Sequence, residues 1–112
     1  MTVIYVQHTP ELATLGQISS ADLQELKAIG FKSVINNRPD GEGGATQPTS
    51  ADLDHEAKAI GLGYAYLPVI PGQITPQQVT DFKHLLDTLP KPIAAFCRTG
   101  NRSNQIFNMS QT

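Results

Sequence analysis

Cys97 is the only cysteine among 112 residues, and two of the three arginines stand within five positions of it. The run reads Pro92-Ile93-Ala94-Ala95-Phe96-Cys97-Arg98-Thr99-Gly100-Asn101-Arg102-Ser103. A short apolar strand delivers a thiol into a loop, and a segment able to turn helical follows. Backbone N–H groups of such a loop and of the helix start point at one spot, where they hold anions. The same field lowers a cysteine from about 8.5 toward the roughly 3.5–7.5 range seen beside cations and helix N-termini. Gly100 lets the backbone bend back, and Arg102 offers a planar fork to an oxyanion. Cys97 and Arg102 are therefore the candidate catalytic pair. Arg98, Thr99, Gly100, Asn101 and Ser103 are candidate anion-binding residues around them. The plain alternative is a structural cysteine closing a core strand. A fully buried sulfur, or an ordinary thiol pKa, would count against the nucleophile.

A second loop carries the remaining arginine, in Asn36-Asn37-Arg38-Pro39-Asp40-Gly41-Glu42. Proline, aspartate and glycine suit a simple turn. All three arginines fall in these two loops, however, while the exposed helix faces use lysine. Arginine is favoured where a planar oxyanion is held bidentately. Arg38 is thus a candidate for the border of the anion pocket. Asp40 or Glu42 is expected to reach toward it, with Asp40 the candidate general acid.

Three helices must position these loops. Ser20-Ala21-Asp22-Leu23 has a capping serine and an acid in its first turn, with Leu23, Leu26 and Ile29 facing inward and Gly30 as the stop. Ser50-Ala51-Asp52-Leu53 repeats that grammar, with Leu53, Ala57 and Ile60 inward and Gly61 as the stop. The two words differ in spacing by one residue, so they share capping chemistry without forming a repeat. Thr75-Pro76-Gln77-Gln78 is a capping box with proline at the first helical position. Val79, Phe82, Leu85, Leu86 and Leu89 follow as a core stripe. Short apolar strands are expected at Lys32 to Asn36, Tyr64 to Leu67 and Ile93 to Phe96, with edge strands around Ile4 and Ala13. Strands alternating with helices predict an α/β fold, a small and largely parallel sheet flanked by helices on both faces. Ligands in such sheets bind beyond the carboxyl ends of the strands, where both loops fall. The glycine-rich stretch from Gly41 to Thr49 reads as a mobile loop. Only ten residues follow Arg102, about two turns of helix, so the helix supporting the loop is expected to be short, frayed or completed by a partner chain.

Length and composition set the frame. The 112 residues suffice for a single domain over 1–112, and 39% apolar with 16% charged residues is ordinary for a globular protein. A formal net charge of −2 gives no reason to expect nucleic acid or an anionic membrane as partner. No apolar run approaches the ~20 residues of a membrane span, and the N-terminus lacks signal-peptide character. One cysteine and three scattered histidines (His8, His55, His84) make no recognisable metal site, and no cofactor is implied. A lone reactive thiol survives best in a reducing cytoplasm, the expected location.

The chain resembles the phosphatase-like domain of beta-lactamase-hydrolase-like proteins, a bacterial family also described as sulfur transferases. The resemblance rests on Gly16-Gln17-Ile18-Ser19, the run from Gly30 to Glu42, Tyr66-Leu67-Pro68-Val69, and Phe96 to Ser103 taken together. It implies a fold like that of dual-specificity cysteine phosphatases, with Cys97 as nucleophile and Cys97 to Arg102 as the oxyanion cradle. The family's two descriptions point to different reactions.

Cysteine phosphatases are known for Cys-x5-Arg, a seven-residue loop that fits a phosphoryl group. Here four residues separate Cys97 from Arg102, so the loop has six. That length resembles rhodanese-type sulfurtransferases, whose smaller cradle holds a persulfide sulfur. Phe96 stands where phosphatases usually place a histidine. A phosphate monoester also needs a proton on its leaving oxygen, yet the loop expected to supply it, Pro68 to Thr75, contains no acid. Sulfur transfer between thiolates proceeds without one. The expected function is a cysteine-dependent sulfurtransferase acting on thiosulfate or a persulfide, with an enzyme of sulfide oxidation as the expected partner. The alternatives are a phosphatase working through a cysteinyl-phosphate on a small phosphoester, and a non-catalytic anion- or persulfide-binding module.

Overall fold

The computed structural model describes residues 3–111. Five strands and four helices follow in the order β1 (Tyr5–Thr9), β2 (Leu12–Leu15), α1 (Ser20–Ile29), β3 (Ser33–Asn36), α2 (Ser50–Ala59), β4 (Gly63–Tyr66), α3 (Pro76–Thr88), β5 (Ile93–Phe96) and α4 (Asn101–Ser110). They form one sheet in the order β1-β2-β5-β3-β4. All pairings are parallel except β1 with β2. The edge strand of the N-terminal region is therefore β1 alone. The segment around Ala13, expected at an edge, is an interior strand whose four residues are all buried.

Side-chain alternation explains how such short strands bury both faces. Ala13, Leu15, Val34, Ala94 and Phe96 face α1 and α2, where they meet Leu23, Leu26, Leu53 and Ala57. Their neighbours Leu12, Ile35, Ile93 and Ala95 face α3 and α4, against Phe82, Ile106 and Phe107. Phe82 is completely enclosed. Phe82→Ala should lower stability by about 3–5 kcal/mol through lost burial and a residual cavity, read as a fall in urea midpoint at constant m-value.

The caps lie close to their sequence signals. Thr75 caps α3, its hydroxyl accepting from Gln78 N while the Gln78 side chain returns to Thr75 N, with Pro76 at the first position. The α1 cap is Ser19 rather than Ser20, and its box partner is Asp22. Thr49, not Ser50, caps α2. Each shift follows from reach: the capping oxygen must stand three residues before the N–H it accepts from. Ile29, expected inward, is 44% exposed. Helix α4 is formed over ten residues and docks through buried Ile106, Phe107 and Ser110, so it is neither frayed nor lacking an apolar seat. Among the described residues no helix is long and apolar enough to cross a membrane.

Candidate active site

Strand β5 lies at the middle of the sheet, and its carboxyl end opens into the Cys97 loop between the ends of β2 and β3. The loop is stitched to both neighbours. Cys97 N donates to Leu15 O, Gln17 N to Arg98 O, and Asn37 N to Phe96 O. Gly100 ends the loop at φ 95°, a left-handed conformation open to glycine at no steric cost. A Cβ there would also press on the backbone of Leu15 at 3.3 Å. Two separate demands thus select the same residue.

The loop amides close on the sulfur. Gly100 N donates to Cys97 Sγ at 3.1 Å. Burial pushes the thiol up, but backbone donors from Ser103, Thr99, Gly100 and Arg102 together outweigh it, and the net displacement is downward. Access is another matter. Cys97 is fully enclosed, at 0% exposure, against the expectation of an open nucleophile. In this conformation the sulfur is electrostatically prepared and sterically covered.

Arg102 is buried, and its guanidinium is already engaged. Nη1 donates to Glu42 Oε2 at 2.8 Å and to Val69 O at 2.9 Å, and Nη2 donates to Glu42 Oε1 at 2.7 Å. Glu42 Oε1 also accepts from Arg38 Nε at 3.0 Å. Hydrogen bonding from Arg102 is the main reason the Glu42 carboxyl lies below its ordinary range; burial opposes it, and the Arg38 hydrogen bond adds to the lowering. One carboxylate therefore joins the two buried arginines. Of the acids weighed for the second loop, Glu42 is the one that arrives. Asp40 is turned elsewhere: its Oδ1 accepts from Ser50 N at the start of α2, and its own N–H donates to the Tyr66 hydroxyl.

The stretch after Asp40 is a run of hydrogen-bonded turns rather than a featureless loop. Glu42 N donates to Pro39 O, Gly44 N to Gly41 O and Gln47 N to Gly44 O. The Gln47 side chain accepts from Gly43 N and donates to Pro39 O. A Cβ at Gly43 would lie 2.7 Å from Arg38 Nη2, so a larger residue there would have to displace the end of that guanidinium.

The remaining candidates divide. Ser103 is buried and donates to Asn37 Oδ1 at 2.8 Å, while Asn37 Nδ2 donates to Leu67 O. It ties α4 to β3 and to the chain before Val69. Arg98, Thr99 and Asn101 are exposed on the outer arc of the loop. Gln17, outside the candidate set, also reaches the site: its Oε1 accepts from Arg38 Nη1 at 3.1 Å. Its only signal was its place in one of the family-like words. The Val69 carbonyl was not legible at all, because a backbone acceptor leaves no residue signature. Among the described residues no group of three or more His, Cys, Asp or Glu is placed to hold a metal ion.

A cysteine wrapped by loop amides, with an arginine on the following helix and a mostly parallel sheet behind, defines the phosphatase-like class of α/β domains. The chain belongs to the family described as beta-lactamase hydrolase-like protein, phosphatase-like domain, which matches residues 5–112. A beta-lactamase hydrolase-like protein of Agrobacterium fabrum is 33% identical over 95% of this chain, and one of Xylella fastidiosa is 30% identical over 89%. The chain spans about a quarter of these relatives, 24% and 23% of their lengths. Among solved structures, a Neisseria meningitidis protein described as a candidate phosphatase superposes with TM-score 0.86 at 28% identity, covering 95% of this chain and 75% of that one. Pseudomonas aeruginosa TpbA shares the fold with TM-score 0.73 at 15% identity, over 97% and 63%.

Proposed function

We propose that this domain transfers sulfane sulfur through a persulfide on Cys97. The observation that carries the reading is the six-residue loop whose amides converge on the Cys97 sulfur, with no acid poised to protonate a leaving alcohol. Asp40 is spent on α2, Glu42 is held ionised by Arg102 and Arg38, and Pro68 to Thr75 has no carboxyl group. The Cys97 thiolate attacks the outer sulfur of thiosulfate, the S–S bond breaks, and sulfite leaves with the bonding pair. The resulting Cys97 persulfide anion is held by the loop amides, the backbone N–H of Arg102 among them. An acceptor thiolate or cyanide then takes the outer sulfur and restores the Cys97 thiolate. No proton is needed at either step. A partner enzyme of sulfide oxidation would supply or consume the persulfide.

Phosphoester hydrolysis is the second reading, and the comparisons favour it. The family is described as phosphatase-like, and the Neisseria relative is described as a candidate phosphatase. In that chemistry Cys97 attacks phosphorus, the alkoxide departs with a proton from solvent, and water cleaves the cysteinyl-phosphate. Without a placed acid, only esters with acidic leaving groups should react well.

One experiment separates the two. Intact-mass spectrometry after thiosulfate should show a gain of one sulfur atom on the wild type, lost on adding cyanide. Aryl phosphate should be turned over more slowly than sulfur is transferred. Phosphate turnover well above sulfur transfer, lost in Asp40→Asn, would reverse the assignment and make Asp40 the acid.

A further inference from the structure

A cleft of about 490 Å³ opens beside the catalytic loop. Its floor is the carboxyl end of β2, and one wall is Thr99, Gly100 and Asn101 of the loop together with Asn104 of α4. A single peptide step separates it from the nucleophile, because Gly100 lines the cleft and its N–H donates to Cys97 Sγ at 3.1 Å. Gln17 joins it to the arginines, lining the cleft while its Oε1 accepts from Arg38 at 3.1 Å. The opposite wall is the chain leading into β1, fixed by Val3 N–H donating to the Glu25 carboxylate.

The chemistry of the lining is unlike that of the adjoining anion site. Both buried arginines lie outside the cleft, and no lysine or arginine lines it. Asn101 and Asn104 offer amides and Thr99 a hydroxyl, beside apolar surface from Val3 and Leu15, while the Gln17 amide is engaged at both ends, Oε1 by Arg38 and Nε2 by Ile18 O. Its titratable groups are Tyr5, which packs edge-on against Phe31, His8, whose Nε2 meets Thr14 Oγ1 at 2.7 Å, and Asp22, whose Oδ2 accepts from Ser19 N. Volume of this size suits a small organic ligand rather than a bare anion, and paired amides suit a peptide bond.

We propose that this cleft binds the organic body of the acceptor, a thiol with a neutral or cationic peptide-like frame. Its sulfur lies toward the Cys97 loop and its amides lie against Asn101 and Asn104. This rests on the sulfur-transfer reading for the identity of the acceptor, but the cleft can be probed without turnover. Acidic frames are disfavoured, because the cleft adds a carboxylate and no cation.

The test compares cyanide with glycyl-cysteinyl-glycinamide as acceptors for the sulfur-loaded protein. Asn104→Phe narrows the cleft from a position outside the catalytic loop, and Asn104→Ala removes the amide without adding bulk. KM for the tripeptide amide should rise about tenfold in Asn104→Phe and less in Asn104→Ala, with cyanide kinetics within about twofold of wild type. A tripeptide flanked by glutamates should bind more weakly than the amide. An unchanged KM in both variants, an equal shift for cyanide, or tighter binding of the acidic peptide would each overturn the proposal. If the wild type transfers no sulfur even to cyanide, the functional reading fails. Calorimetric titration of the tripeptide amide into wild type and Asn104→Ala then decides the cleft: weaker binding by the variant supports it, and equal or absent binding overturns it.

Discussion

Cys97→Ser should reduce sulfur transfer to the uncatalysed background, a loss of at least about a thousandfold, because a serine alkoxide is not formed near neutral pH. The fold should survive, since a smaller hydroxyl meets the same loop donors. In the wild type, iodoacetamide alkylation followed against pH should inflect below the ordinary thiol value. The sign follows from the four loop N–H donors that outweigh burial. The lowered pKa also gives a stability contribution that is fully present above the unfolded thiol pKa. It is lost as pH falls through the folded value. The enclosed sulfur adds a second expectation: alkylation should be slow in absolute rate even where the thiolate dominates. An inflection at the ordinary thiol pKa would remove the electrostatic argument for Cys97.

Arg102→Lys should cost about 10²-fold in turnover, the effect of a reacting group displaced when its supporting clamp is loosened, although the charge is retained. Lysine has no fork, so it cannot meet both oxygens of Glu42 and the Val69 carbonyl together as the guanidinium does. Glu42→Gln tests the same clamp from the other side. It should lower turnover less, because Val69 still holds Nη1. It should also flatten the acid side of the stability profile. Glu42 has a depressed pKa, so its contribution is present above the ordinary glutamate value and fades as pH falls through the lowered one. If Arg102→Lys turned over at wild-type rate with unchanged KM, Arg102 would hold Glu42 and do nothing more.

Much of this architecture was legible because its signals are local. A proline after a capping threonine and a five-residue apolar stripe announce α3. The β5 run ends in the one cysteine, and its bounds agree with the strand expected there. What escaped depends on partners distant in sequence. Ala13 sits in a short segment with little alternation to read. It is interior only because β5, eighty positions later, pairs along it. Glu42 could be seen to reach toward the pocket, but not that it would bridge Arg38 and Arg102, sixty residues beyond. Enclosure of Cys97 was equally hidden, since loop composition specifies donors and says nothing about the gap between them. Asp40 shows the opposite error, where an acid in a suggestive loop was claimed instead by the N-terminus of α2.

The place of β5 has a consequence for measurement. Strands β2 and β3 flank it on either side, so its amide protons should exchange with solvent only through global opening, while those of edge strand β1 exchange by local fraying. The pKa of Cys97 depends on the loop hung from that central strand and on the start of α4. The thiol therefore cannot regain its ordinary acidity by a small excursion at the rim. Across a denaturant series, a pulse of thiol reagent at fixed pH should report the same midpoint as backbone circular dichroism. The cysteine thus serves as a native clock of whole-domain opening.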